Sequence, residues 1–203
     1  YFNIKKKIKV IPNFIQFKSQ SIPERNNTNK IITHISNFRP VKRVLDVIRV
    51  FNIIQKKINC RLIMIGDGPD FNSARDFVNS KGLNSIVDFV GKSKKIDGIL
   101  KKTDLFLLPS ESESFGLVAL EAMSFGVPVV TTSVGGIVDL VIDQKNGYTC
   151  KVGDVTNMAF NSCDLLTDNV LYKKMSNSAY QTAKQYDIEK ILPMYDNCYM
   201  QFL

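Results

Sequence analysis

LFLLPSESESFGLVALEAMSFGVPVVT, residues 105–131, reads as a strand, a helix and a second strand in succession. Leu105 to Leu108 is a short unbroken apolar run closed by Pro109, the pattern of a strand buried on both faces. Ser114 to Phe125 reads as a helix ended by Gly126, and Val127 to Thr131 as another buried strand. Two such strands joined by a helix form a parallel pair, since only a long crossover returns the chain in the same direction. Crossovers of this kind are right-handed.

The alternation continues on both sides. Lys30 to Ser36 reads as a strand, and Val41 to Lys57 as a helix with Val44, Val47, Ile48, Phe51 and Ile54 on one face. Arg61 to Ile65 is a buried strand stopped by Gly66-Asp67-Gly68-Pro69, followed by a helix from Phe71 to Lys81 with Gly82 as its C-cap. Val87 to Val90 reads as a strand and Ile96 to Lys102 as a short helix. After Gly135-Gly136 comes a short helix through about Ile142, then a last strand from Gly147 to Lys151, then mostly helix. The expected fold class is therefore α/β, a Rossmann-like, doubly wound parallel sheet over residues 28–183. Ligands in such folds bind beyond the carboxyl ends of the strands, in the loops that begin at Ser36, Gly66, Gly91, Pro109 and Thr132.

Composition agrees with this. The chain has 203 residues, 44% apolar and 23% charged, within the range of globular proteins. No apolar run approaches the roughly 18 residues that span a bilayer. Tyr1-Phe2-Asn3-Ile4 has no initiator Met and no signal-peptide pattern, so the chain reads as part of a longer protein. The net charge of +8 suits anionic partners. It is spread along the chain, clustering only at Lys5-Lys6-Lys7, Lys56-Lys57, Lys92 to Lys95 and Lys101-Lys102, and no nucleic-acid motif accompanies it. Nucleic acid is not an expected partner. Cys60, Cys150, Cys163 and Cys198 form no CxxC pair and His34 is the only histidine, so zinc-site spacing is absent and free thiols in a reducing cytoplasm are expected. Ser19 to Asn29 is polar and reads as a flexible linker. Ile188, Ile191, Leu192, Tyr195, Tyr199 and Phe202 give the last segment an apolar helical face.

Four loops could serve an anion. Residues 109–117 run from a strand end into a helix start, where free N–H groups and partial positive charge favour phosphate; a capped helix start with Ser112 or Ser114 as N-cap fits the same residues. Glu113 and Glu121 are two turns apart, about 80° off alignment. Glu121 lies in an apolar helix, so it faces a partner such as a ribose diol or a salt bridge. Arg39 and Lys42, after the first strand, could reach a diphosphate, or form a solvated basic helix start. Gly66-Asp67-Gly68-Pro69 and Gly135-Gly136 are tight turns, and the first is not a complete dinucleotide fingerprint. His34 reads as a packed structural residue.

Together, Pro109-Ser110 with Glu113-Ser114-Phe115-Gly116-Leu117, Leu120-Glu121-Ala122-Met123, Gly126, Pro128-Val129-Val130, Gly135-Gly136, Asn146-Gly147 and Gly66-Asp67-Gly68-Pro69 resemble the GT-B retaining glycosyltransferases of family 4. The resemblance implies the C-terminal half of a GT-B fold. Residues 1–27 would be an interdomain strand and linker from a preceding domain, and 184–203 a helix docking on that domain. It implies that Glu113 and the backbone of Ser114, Phe115 and Gly116 hold the donor sugar, with Leu117 and Val118 N–H groups on the diphosphate. Glu121 would bind the ribose, Arg39 and Lys42 would take the diphosphate charge, and Asn37 and Gly66 would complete the nucleotide site. Where the family often has Gly-Arg this chain has Ser36-Asn37, and Arg39 is the expected substitute. The segment His34-Ile35-Ser36-Asn37-Phe38-Arg39-Pro40-Val41-Lys42-Arg43 narrows the resemblance to the branch that transfers N-acetylglucosamine from UDP-N-acetylglucosamine to L-malate in bacillithiol synthesis. That implies a nucleotide-sugar donor and a small-molecule acceptor held by the preceding domain, with homo-oligomerisation left open. No cofactor is implied, and the absence of an Asp-x-Asp motif agrees with metal-independent transfer. The rival readings are another donor and acceptor in the same family, a non-catalytic nucleotide-sugar-binding module, and a sugar-nucleotide epimerase.

Overall fold

The structure, a computed structural model, describes residues 9–25 and 27–200. The Lys5 to Lys7 cluster and Phe202 lie outside the described residues. Six strands, β1 (Lys30–Ile35), β2 (Cys60–Ile65), β3 (Val87–Gly91), β4 (Leu105–Leu108), β5 (Val129–Thr132) and β6 (Gly147–Cys150), form one sheet in the order 3-2-1-4-5-6. Every pairing is parallel. The helices are α1 (Val44–Ile54), α2 (Phe71–Ser80), α3 (Asp97–Leu100), α4 (Leu117–Ser124), α5 (Val155–Thr167), α6 (Asn169–Ala183) and α7 (Ile188–Tyr199). The expected Rossmann-like α/β class is the observed one.

The unbroken LFLL run has a direct cause. Leu105 and Leu107 enter the core on the α1–α2–α5 side, while Phe106 and Leu108 enter the core under α4. Both faces are covered at β4, and all four of its positions are buried apolar side chains. β1 and β4 lie side by side, Ile32 opposite Leu105 and Thr33 opposite Phe106, while the chain continues from them to opposite edges. Loops leaving adjacent strands in opposite directions open a crevice there.

Element boundaries differ from expectation where backbone geometry intervenes. The helix expected from Val41 is a 3-10 turn, Pro40–Lys42, followed by α1 from Val44. Between them Arg43 is left-handed (φ 50°) and returns its N–H to the Pro40 carbonyl at 2.9 Å. Its guanidinium is anchored by buried Asp46 at 2.6 Å. The helix expected from Ser114 begins at Leu117, because Gly116 is left-handed (φ 85°); neither Ser112 nor Ser114 is its N-cap. β5 begins two residues late, with the Pro128 carbonyl accepting from Phe106 N–H. The short helix after Val134 is a 3-10 turn, Gly135–Asp139. Gly82 does close α2: at φ 67° it donates to Asn79 O while Leu83 N–H donates to Val78 O, each at 3.1 Å.

The polar segment expected to be a flexible linker is tied down in its described residues. Arg25 donates to the carbonyls of Phe125 (2.5 Å) and Gly126 (3.3 Å), capping the end of α4, and the Tyr180 hydroxyl donates to Ser19 O. Upstream, Ile15 N–H donates to Tyr186 O and Ile188 N–H to Ile15 O, a parallel bridge between the incoming chain and the α6–α7 junction. On α7 only Ile191 is buried; Leu192 and Tyr199 are exposed, and Tyr195 meets Phe14 edge-on. Among the described residues no helix is long and apolar enough to cross a membrane.

The four thiols are free. Burial pushes Cys60 up to about 12 and Cys150 to about 11, and raises Cys163. Since the thiolate is the reactive form, a disulfide reagent at pH 8 is expected to label Cys198 alone in the native protein and all four in denaturant. Rapid native labelling of Cys60 would contradict its burial at the start of β2.

Candidate active site

The crevice at the switch point is a cavity of ≈480 Å³ beyond the carboxyl ends of the strands. The loops after β1, β2, β3 and β4 form its walls: Ile35, Ser36, Asn37 and Lys42; Ile65, Gly66 and Asp67; Lys92 and Ser93; and Glu113 to Val118. The incoming chain adds Asn13. Nine of the expected site residues therefore share one cavity: Asn37, Lys42, Gly66, Glu113, Ser114, Phe115, Gly116, Leu117 and Val118.

Two do not. Arg39 is exposed and outside the lining. Glu121 lines an adjoining groove of ≈260 Å³ with Phe14, Lys18 and Asp97; Leu117, one turn before it, borders both spaces. The Glu121 carboxyl is raised above its ordinary range by burial and then by Asp97, with Lys18 opposing. Asn13, Lys92 and Ser93 were not among the expected residues. Lys92 and Ser93 directly follow Gly91, where a ligand loop was expected to begin, whereas nothing in the sequence around Asn13 signals a site.

Lys42 and Glu113 meet because the two loops are stitched together. Glu111 N–H donates to Val41 O at 2.8 Å. Beside that bond Lys42 Nζ donates to Glu113 Oε1 at 2.5 Å, with the side chains 20% and 7% exposed. The same oxygen accepts from the buried Ser110 hydroxyl at 2.8 Å, and Thr132 Oγ1 donates to the Ser110 carbonyl. A carboxylate this buried needs such partners. The pair places a fixed cation and a fixed anion on one cavity wall.

The backbone is held as closely. A Cβ at Gly135 (φ 56°) would lie 2.0 Å from Glu113 O, and one at Gly136 2.1 Å from Ser114 O. Gly136 N–H donates to Glu113 O at 3.0 Å. On the other wall, a Cβ at Gly66 (φ 133°) would lie 1.7 Å from Ser36 O. These glycines let one backbone lie directly on another. At the start of α4, Ala119 and Leu120 N–H return to Gly116 O. The N–H groups of Leu117 and Val118 precede any intrahelical acceptor and have no acceptor among the described residues.

His34 sets the β1 loop. Its Nδ1–H donates to Leu107 O at 2.9 Å, so Nε2 is unprotonated and accepts from the Ser36 hydroxyl at 2.8 Å. Ser36 Oγ in turn accepts from Phe38 N–H at 3.2 Å. Burial, with the charge of Lys42 adding, lowers His34 from 6.5 to about 4. The unfolded chain takes up this proton below about pH 6.5 and the folded one does not, so the contribution to stability is full above 6.5. It falls between 6.5 and 4, by about 3 kcal/mol in all. Urea midpoints measured across that window should slope downward with acid, and His34→Gln should remove about one proton's worth of the slope. An unchanged slope would contradict the buried neutral imidazole.

Three comparisons bear on this geometry. The family model described as "Glycosyl transferases group 1" matches residues 16–182. The chain is 41% identical over 179 residues to the N-acetyl-alpha-D-glucosaminyl L-malate synthase of Bacillus anthracis, covering 88% of this chain and 47% of that protein. It thus spans about half the length of that relative. It superposes with a TM-score of 0.85 and 27% identity on a mutant of Staphylococcus aureus TarM in complex with UDP and alpha-GlcNAc-glycerol, covering 97% of this chain and 40% of that one. With 23% identity and a TM-score of 0.73 it shares the fold of the C-terminal domain of a glycosyl transferase group 1 family protein from Francisella tularensis, covering 86% of this chain and 99% of that one. A Rossmann-like sheet, a cavity at its switch point and a family match across most of the length agree: the chain belongs to the group 1 glycosyl transferases, GT-B enzymes of family 4, and has the fold of their C-terminal domain.

Proposed function

We propose that this chain is the donor half of a retaining glycosyltransferase that moves N-acetylglucosamine from UDP-N-acetylglucosamine to L-malate. The carrying observation is the Lys42–Glu113 pair beside the free N–H groups of Leu117 and Val118, on one wall of the switch-point cavity. Glu113 and the backbone of Ser114 to Gly116 hold the sugar hydroxyls. Leu117 and Val118 N–H groups and Lys42 hold the diphosphate, with Arg39 supplying charge from outside the cavity lining. Asn37 and Gly66 form the facing wall. Glu121, one turn beyond Leu117, takes the ribose in the adjoining groove.

The bond between the anomeric carbon and the β-phosphate oxygen breaks, and the malate hydroxyl oxygen bonds that carbon from the same face. The hydroxyl proton goes to the departing phosphate. Lys42 and the helix N–H groups stabilise the charge that grows on the diphosphate. The acceptor is held by a preceding domain, with residues 1–27 as the interdomain strand and linker and 184–203 docking on that domain. The 41% identity to the malate synthase supports this choice of donor and acceptor. Transfer needs no metal, and the setting is cytoplasmic. The test is a donor screen of the full-length enzyme with L-malate, read by mass spectrometry, with and without a chelator. Absence of N-acetylglucosaminyl malate with UDP-N-acetylglucosamine would sink the substrate assignment, and metal-dependent recovery after chelation would sink the metal-free step.

A further inference from the structure

Phe115 lies between exposed Ser114 and left-handed Gly116, and its half-buried side chain packs with Tyr186 against the core under α4. The ring of Tyr186 meets the Phe115 ring edge-on, with centroids 5.5 Å apart and planes at 69°. Tyr186 is itself well anchored. It ends the 3-10 turn between α6 and α7, and its carbonyl accepts Ile15 N–H at 3.0 Å. The next residue, Asp187, accepts from Phe17 N–H through Oδ1 at 3.3 Å.

We propose that Tyr186 is a positioning residue for the donor loop: its ring braces Phe115 so that the backbone of residues 114–116 is set for the sugar before the donor arrives. The brace stands on the bridge between the incoming chain and the α6–α7 junction, and that incoming chain also brings Asn13 to the cavity. A residue outside the cavity lining thereby decides how well the sugar is held. The contact is made by the ring, not the hydroxyl, so phenylalanine serves equally. This role rests on the donor reading given above.

The test compares UDP-N-acetylglucosamine with UDP by calorimetric titration of the chain. Tyr186→Ala is expected to weaken the sugar nucleotide by up to about tenfold, the range of an aromatic pair, with UDP affinity within about twofold. Tyr186→Phe should restore wild-type binding. Thermal melts establish that each variant is folded. If Tyr186→Ala does not fold, Tyr186→Leu, which keeps apolar bulk without the edge-on contact, is read in its place. Equal losses for UDP and UDP-N-acetylglucosamine, or a Phe variant as weak as the Ala variant, would overturn the positioning role while leaving the donor site standing. A wild-type chain that binds neither ligand would overturn the donor reading itself.

Discussion

Lys42→Ala in the full-length enzyme should lower kcat by roughly a hundred- to a thousandfold, the scale for losing one fixed electrostatic contact to a charge that develops in the transition state. Donor KM should change far less, because the diphosphate keeps the N–H groups of Leu117 and Val118 in the ground state. Such a split identifies an interaction strengthened during bond breaking. Lys42 suits the role because it is held in place before any ligand binds, 2.5 Å from Glu113 and only 20% exposed. The pairing also requires a control. Removing Lys42 leaves the buried Glu113 with Ser110 as its remaining hydrogen-bond partner, so part of any loss could come from a disordered carboxylate. The single variant Glu113→Gln, read beside the double variant Lys42→Ala/Glu113→Gln, separates the two, since a neutral amide does not need the cation to stay folded. A further kcat loss in the double variant beyond that of Glu113→Gln alone belongs to the Lys42 charge. Arg39→Ala, outside the cavity lining, should cost less than about tenfold in kcat. Losses equal in kcat and binding for Lys42→Ala would refute its transition-state role.

Gly135→Ala should abolish most donor binding. Two penalties coincide at this position. A left-handed φ of 56° disfavours any side chain, by roughly 1–2 kcal/mol. The new Cβ would also stand 2.0 Å from the Glu113 carbonyl oxygen, well inside any real carbon–oxygen contact. That oxygen belongs to backbone and cannot rotate aside, so the Glu113 peptide must shift by about 1 Å, a displacement large enough to cost on the order of a hundredfold in a positioned site. Gly82→Ala supplies the matched control. Its φ of 67° carries the same local strain, yet nothing lies within 4 Å of the added carbon. It should lower stability by roughly 1–2 kcal/mol and leave titration with UDP-N-acetylglucosamine unchanged. Thermal melts and titrations of the two variants decide the matter; similar binding by both would mean that the Gly135 contact does not shape the site.

The central strands were readable because they are covered on both faces, which leaves runs such as LFLL with no polar interruption. The crevice followed from the order of elements, since strand ends at a switch point are fixed by topology. What escaped was geometry set by single φ angles. Gly116 delays α4 by three residues, and left-handed Arg43, held by Asp46 across one turn, breaks the first helix. Neither is visible as periodicity, because apolar spacing says nothing of where a backbone turns left-handed. The Lys42–Glu113 contact was also beyond reach in detail: 71 positions separate the two, and their meeting depends on the Glu111–Val41 bond between loops. Arg39 shows the converse limit. Charge type and nearness in sequence suggested a cavity residue, but the 3-10 turn carries Lys42 into the lining and leaves Arg39 outside it.

The bridge between Ile15 and the residues around Asp187 has a consequence for engineering. Everything from residue 16 to residue 186 enters and leaves through one seam, and the family match begins just past it, at 16. A unit whose entry and exit adjoin is a cassette: a graft into another scaffold has a single join to satisfy, with two hydrogen bonds at Ile15 and one apolar side chain to seat. Chimeras cut at that seam carry the sheet and most of the cavity across, and the scaffold must supply the pairing of Ile15 and the Asn13 wall. Cuts at the polar stretch that follows would leave behind the strand partner on which the brace stands.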